Sequence, residues 1–217
     1  MLRFKTGKVH SFPVFVMNDS AFNLEYQNQQ LDSKIVIALE RIAEVIKSLQ
    51  WSVAKELQLS PIQIQVLLFI EHHKGDLCTV SYLAKEFNVT KPTISDTVRV
   101  LYYKDLLDKI PHPTDSRSFS LQLSFKGKRL LDQLESYIKP LLQQVQNLGQ
   151  NLKSDIWQGL TQLIHHFNKA GILQVQRMCF NCRYFEKGNN SNYCRLLNSP
   201  LLKEDIRLDC PEFEAQN

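Results

Sequence analysis

No apolar run in the chain approaches the ~20 residues that a membrane-spanning helix needs. The beginning of the chain has neither the apolar core nor the cleavage site of a signal peptide. A cytoplasmic protein without a membrane partner is therefore expected. Charge is not in excess either, since a formal net charge of +4 over 217 residues says little about nucleic acid by itself. No acid/base constellation stands out, and the βαβ setting that a thioredoxin-like dithiol requires is missing, which argues against an enzyme. What is left, 43% hydrophobic and 22% charged, is the balance of a globular chain: one domain, or a domain plus an appendage.

The distribution of charge is more telling than its total. Residues 79–128 hold eight Lys or Arg against five Asp or Glu, so +3 of the +4 lies in less than a quarter of the chain. A surface that contacts phosphates needs such a concentration. In the same stretch, Thr79 to Asn88 predicts a short helix with Leu83, Ala84 and Phe87 inward, and Asn88-Val89 a turn. A second helix opens at Thr90, a capping residue followed within its first turn by Pro92. Ile94, Val98 and Leu101 give it a buried stripe, which leaves Lys91, Thr93, Ser95, Asp96 and Arg99 on the outer side. Those are the donors and acceptors that a helix in a DNA major groove requires. An ordinary solvated helix has the same pattern.

The residues after that helix decide between the two. The polar tip Pro111 to Phe119 contains Asp115-Ser116-Arg117, an alternating strand comes next, and Leu123-Ser124-Phe125-Lys126-Gly127 opens another helix. This order and these motifs resemble the MarR family of winged helix-turn-helix regulators over roughly residues 31–170. The resemblance implies a mainly α fold with a small antiparallel β wing and long dimerisation helices. It implies a homodimer that binds double-stranded DNA, represses transcription and responds to a small aromatic effector or to oxidation of a cysteine. Arg117 would enter a minor groove, Asp115 would hold Arg117 by a charge-assisted bond, and Lys109, where the wing begins, would also contact DNA. Two positions depart from the family pattern. Asp105 stands where a glycine is usual, and it tolerates the left-handed conformation. Asp96 puts a carboxylate on the groove face, where it either reads a cytosine amine or turns away.

Around this module, residues 1–30 read as an N-terminal arm, with a short edge strand or extended segment at Phe12 to Met17. Residues 31–57 and 125–172 read as the helical dimerisation region, and 58–124 as the DNA-binding domain. Ile35, Leu39, Ile42, Ile46, Leu49, Val53 and Leu57 set the stripe of the first long helix. Ser60-Pro61-Ile62-Gln63 is a capping box that opens a helix with Val66, Leu67 and Ile70 inward. Ser124 caps one long helix, kinked at Pro140, with Leu130, Leu131, Leu134, Ile138, Leu141, Leu142 and Val145 inward. Ser154-Asp155 caps the last helix, with Ile156, Leu160, Leu163, Ile164 and Phe167 buried. His72-His73 and His165-His166 read as solvent-edge pairs, because adjacent helical residues do not face one site.

Residues 173–217 form a cysteine-rich tail. Cys179, Cys182, Cys194 and Cys210 are separated by two, eleven and fifteen residues. In a cytoplasmic chain this pattern points to a metal rather than to disulfides, and a tail this small needs such a staple. Four thiolates suit Zn2+, with a small preference from its frequency, or a [4Fe–4S] cluster, which Cys210-Pro211 favours. Phe180, Tyr184, Phe185, Tyr193 and Phe213 could shield a cluster or only fasten the tail to the body, and Arg183, Arg195 and Arg207 could offset cluster charge. Three functions are consistent with these features: a DNA-binding regulator, a regulator switched by metal or redox state at the four cysteines, and, ranked last, a dithiol oxidoreductase. Cys78 reads as a lone buried hydrophobe, although its place before a helix could lower its pKa.

Overall fold

The computed structural model describes residues 20–73, 75–111, 119–188 and 191–216. The strand expected at Phe12 to Met17 and the wing-tip residues Asp115, Ser116 and Arg117 lie outside the described residues. The chain forms two compact units, Met1–Ser48 and Leu49–Asn217. In the first unit, α1 (Leu24–Gln29) starts where the Asn23 side chain accepts from the backbone of Glu25 and Tyr26. That helix lies in the expected arm, where no helix was foreseen. Helix α2 (Leu31–Glu56) follows the predicted stripe and runs on into the second unit. Ile35, Val36, Ile42 and Val45 on α2 remain exposed.

The second unit contains the winged helix-turn-helix. Helix α3 (Pro61–His72) opens on the predicted capping box, with Ser60 and Gln63 bonded reciprocally. Helix α4 (Val80–Glu86) is capped by Thr79, and α5 (Lys91–Tyr103) by Thr90. Between them Asn88 takes φ 52°, the left-handed residue that turns one helix into the next. Strands β1 (Leu107–Pro111) and β2 (Phe119–Leu123) pair antiparallel, with Leu107 opposite Leu123 and Pro111 opposite Phe119. Ile64, Leu67, Leu83, Ile94, Leu101 and Leu107 are fully buried where α3, α4, α5 and the hairpin meet. Asp105, between α5 and β1, has φ 58°, as a residue replacing glycine there must.

Beyond the wing the expectation of one kinked helix fails. The chain is broken into α6 (Phe125–Arg129), α7 (Leu131–Leu134), a 3-10 turn at Glu135–Ile138 and α8 (Lys139–Gln146). Pro140 lies in the first turn of α8, where its missing N–H costs nothing, so it opens a helix instead of kinking one. Leu134 is buried, but Ile138, Leu142 and Val145 are exposed. Helix α9 (Gln150–Lys169) starts four residues before the expected cap, from an extended Gly149. The Ser154 hydroxyl donates to Glu204 instead of capping. Ile156 and Phe167, expected inside, are exposed. The tail then forms a small sheet of β3 (Phe185–Glu186), β4 (Asn192–Cys194) and β5 (Ser199–Leu201), ordered β3-β4-β5. No helix among the described residues is long and apolar enough to cross a membrane.

Candidate functional site

The outer face of α5 carries all five residues expected there. Ile94, Thr97, Val98 and Leu101 point inward, and the Thr97 hydroxyl donates to the Thr93 carbonyl at 2.8 Å, which satisfies the one polar group in that stripe. Lys91, Thr93, Ser95, Asp96 and Arg99 are exposed. Asp96 neither stands alone nor turns away: its carboxylate pairs with Arg99 at 2.8 Å, one turn along the same face. The face is thus net basic only through Lys91. The Thr93 hydroxyl is 2.8 Å from that of Thr90, so it serves the helix start as well as the surface.

Lys109 of β1 belongs to the same surface. Its ammonium lies 5.0 Å from the centre of the Tyr102 ring on α5 and 4.9 Å from that of Phe119 on β2. These two rings fix a cation where helix meets wing. Lys104 and Lys126 are committed elsewhere, donating to the carbonyls of Gln58 at 2.5 Å and Lys104 at 2.7 Å.

The four tail cysteines, drawn from three separate segments, line one pocket together with Tyr184, Phe185, Leu196, Leu197 and Leu201. Cys179 and Cys182 bound a single 3-10 turn, in which the Cys182 N–H donates to the Cys179 carbonyl at 3.0 Å. Cys194 ends β4 and Cys210 follows Asp209. The Arg207 N–H donates to the Cys179 sulfur at 3.2 Å, and its guanidinium lies 3.7 Å from that of Cys210. Burial pushes the Cys179 thiol above its ordinary range, against the Arg207 bond and in the same direction as the charges of Cys210, Cys194 and Cys182. Among the described residues no group of three His, Cys, Asp or Glu is placed to hold a single metal ion.

The other expectations for the tail divide. Arg183 is paired with Glu214 and Arg195 with Glu186, so of the three arginines Arg207 is the one that touches sulfur. Tyr184 and Phe185 line the pocket, whereas Phe180 packs on His165 of α9 at 5.2 Å and fastens the tail to the body. Cys78 is buried and its thiol is pushed up to about 11 by burial, then by Asp76, which is the inert small hydrophobe and not an activated thiol.

One buried residue carried no signal in the sequence. Arg177 donates to both oxygens of Asp209 at 2.7 Å, to Glu86 at 2.7 Å and to the Tyr82 hydroxyl at 2.5 Å. Its guanidinium also lies over the Phe69 and Tyr82 rings. Burial opposes its charge, but the bonds to Asp209, Glu86 and Tyr82 outweigh that and raise its pKa. His73, stacked on Phe69, bonds Asp209 at 2.8 Å. The histidine pairs are therefore split rather than solvent-edge: His73 and His165 are drawn inward, while His72 stays outside on Glu135. No local pattern marks Arg177, because Asp209, Glu86 and Tyr82 are 32, 91 and 95 residues away.

The fold is a winged helix-turn-helix, with α5 and the wing on one surface. Residues 57–118 match the sequence model of the MarR family. The fold is similar to that of the Staphylococcus aureus MepR–DNA complex, at 21% identity and a TM-score of 0.53 over 60% of this chain and 96% of that one. It is similar also to a MepR mutant from a multidrug-resistant S. aureus clinical isolate, at 21% identity and a TM-score of 0.51 over 61% and 96%. Likeness at this identity establishes the fold. None of the curated proteins compared matches the chain.

Proposed function

We propose that the chain is a homodimeric, sequence-specific DNA-binding transcriptional regulator that acts as a repressor by occupying its operator. The observation that carries this is the solvated polar face of α5, second helix of a helix-turn-helix, set beside a wing whose root cation Lys109 is clamped between Tyr102 and Phe119. Lys91, Thr93, Ser95 and Arg99 reach bases and phosphates of the major groove, and Arg117 reaches the flanking minor groove with Asp115 as its support. Asp96 works through Arg99, holding the guanidinium at 2.8 Å and lowering its freedom before it meets DNA.

The reading is tested with a duplex enriched from a random pool by the wild-type protein, followed by fluorescence anisotropy. Arg99→Ala removes a cation and also frees Asp96 to repel phosphate, so binding should weaken by roughly 1–3 kcal/mol. Arg117→Ala should weaken binding across many sequences and reduce the salt slope by about one. Wild-type affinity in both variants would refute the assignment of this face.

The dimer reading is supported by apolar side chains left open on two helices of the second unit: Leu142 and Val145 on α8, Leu152 and Ile156 on α9. Large exposed apolar surface of this kind marks a partner site. Val145→Asp and Ile156→Asp should each move the protein towards monomer in sedimentation velocity; unaltered dimers would exclude α8 and α9 from the interface. A cleft of about 1040 Å3 lined by His73, Tyr82 and Arg177 has room for a small aromatic effector.

A further inference from the structure

The tail is too slight to hold itself. Its strands are two or three residues long, and its buried apolar residues are Met178, Cys182, Leu201 and Ile206. Yet four cysteines from three segments face one apolar pocket, with a backbone N–H and a guanidinium of Arg207 directed at two of the sulfurs. Donors to sulfur are how a protein offsets the negative charge that thiolates confer on a metal centre. The four thiols line one pocket with a volume of about 30 Å3. A tetrahedral zinc site needs its ligands at about 2.3 Å from one centre. A cubane cluster takes one thiolate at each iron corner, so its ligands stand apart.

The same tail segment holds the DNA-binding helices. Cys210 donates its N–H to the Arg177 carbonyl at 3.0 Å, and its neighbour Asp209 grips the Arg177 guanidinium from two sides. Arg177 passes on to Glu86 and Tyr82 of α4. Three residues earlier, Gln174 donates to the Asn88 side chain at 3.0 Å, on the turn that aims α5. From these contacts we propose that Cys179, Cys182, Cys194 and Cys210 bind a [4Fe–4S] cluster, and that its occupancy controls the helix-turn-helix through Asp209, Arg177 and Glu86. The second half rests on the DNA-binding reading above. Binding the cluster draws Cys210 onto an iron, which fixes Asp209; the rigid fork of Arg177 then fixes α4 and the turn at Asn88.

The test uses the full chain purified without oxygen. About four iron and four acid-labile sulfide per chain, with broad visible absorption, are expected, and Cys194→Ser should lose them. A colourless protein, or one carrying zinc in place of iron, would overturn the cluster. Loaded wild-type protein and the same preparation stripped by chelation should then differ at least about tenfold in affinity for the enriched duplex. Arg177→Lys, which keeps the charge but cannot fork, should retain its iron and lose most of that difference. Glu86→Gln, remote from the sulfurs, serves the same purpose should the lysine variant fold poorly. Equal affinity of loaded and stripped wild type would overturn the coupling. Hydrogen exchange in Val80–Glu86 separates the coupling from the DNA-binding reading: it should slow on loading even if no DNA binds. Exchange that ignores the cluster would overturn the coupling on its own.

Discussion

Arg177→Met is expected to unfold in urea with about 3 kcal/mol less stability than the wild type at neutral pH. The side chain is 8% exposed, and it neutralises Glu86, which is 20% exposed. Methionine fills much of the same volume and keeps the contacts with Phe69 and Tyr82, so the loss isolates the charge. Removing one member of a buried ionic group leaves its partners charged and unpaired, which costs far more than the group contributes when intact. The figure stays at the low end of that range because Asp209 is 45% exposed and keeps access to water. The acid limb gives an independent check. Burial works to raise the Asp209 pKa, but the bonds from Arg177 and His73 outweigh it and hold the carboxyl below its ordinary range. A depressed carboxylate stabilises the fold above its unfolded value of about 4 and loses that contribution as pH falls through the folded value. The gap between wild type and Arg177→Met should therefore be full at neutral pH and narrow in acid. Adding Asp209→Asn and Glu86→Gln to the methionine variant should restore part of the loss. A methionine variant as stable as wild type would mean that the Arg177 cluster holds nothing together.

The helix starts were legible because capping is local. Ser60, Thr79, Thr90 and Ser124 each accept from a backbone N–H three residues on, so four residues contain the whole signal. Helix α9 shows the converse. Gly149 caps it without a side chain, and the nearest residue that looks like a cap, Ser154, is claimed by Glu204 fifty residues away. The breaks between α6 and α8 were hidden in the same way, since the apolar spacing runs unbroken through them while Ile138 and Leu142 stay exposed. Cysteine spacing grouped Cys179, Cys182, Cys194 and Cys210, and all four line one pocket. It did not foretell what surrounds them: charge alone suggested Arg183 and Arg195, which are spent on Glu214 and Glu186. Asp96 was a burden on the groove face when judged from its own position, and the Arg99 guanidinium one turn away neutralises it. The Arg177 hub lay beyond sequence reasoning, since its partners Tyr82 and Glu86 come from α4 and Asp209 from the far end of the tail.

Gly127→Ala should destabilise the protein by about 2 kcal/mol, against the ordinary preference of helices for alanine. Gly127 is buried in α6, and a Cβ there would lie 2.3 Å from the Leu106 carbonyl oxygen and 3.2 Å from its carbon. That carbonyl cannot retreat. It accepts from the Ser124 N–H at 3.1 Å, the Leu106 N–H donates to Leu101 at 3.0 Å, and Ser124 donates its hydroxyl to Asp105 at 2.5 Å. Asp105 is already in the left-handed region, so the turn has no second conformation to adopt. Two effects compete: helix propensity favours alanine by up to ~1 kcal/mol, and overpacking against fixed backbone costs about 1–3 kcal/mol. A contact at 2.3 Å belongs at the upper end of that cost, so the clash wins. Gly159→Ala supplies the comparison. It is the same substitution inside α9, where a Cβ would meet nothing within 4 Å, and there the propensity gain should stand alone. Denaturant unfolding of both variants should give shifts of opposite sign. A Gly127→Ala protein at least as stable as wild type would show that the junction of α5, wing and α6 yields, and with it the fixed angle between wing and α5.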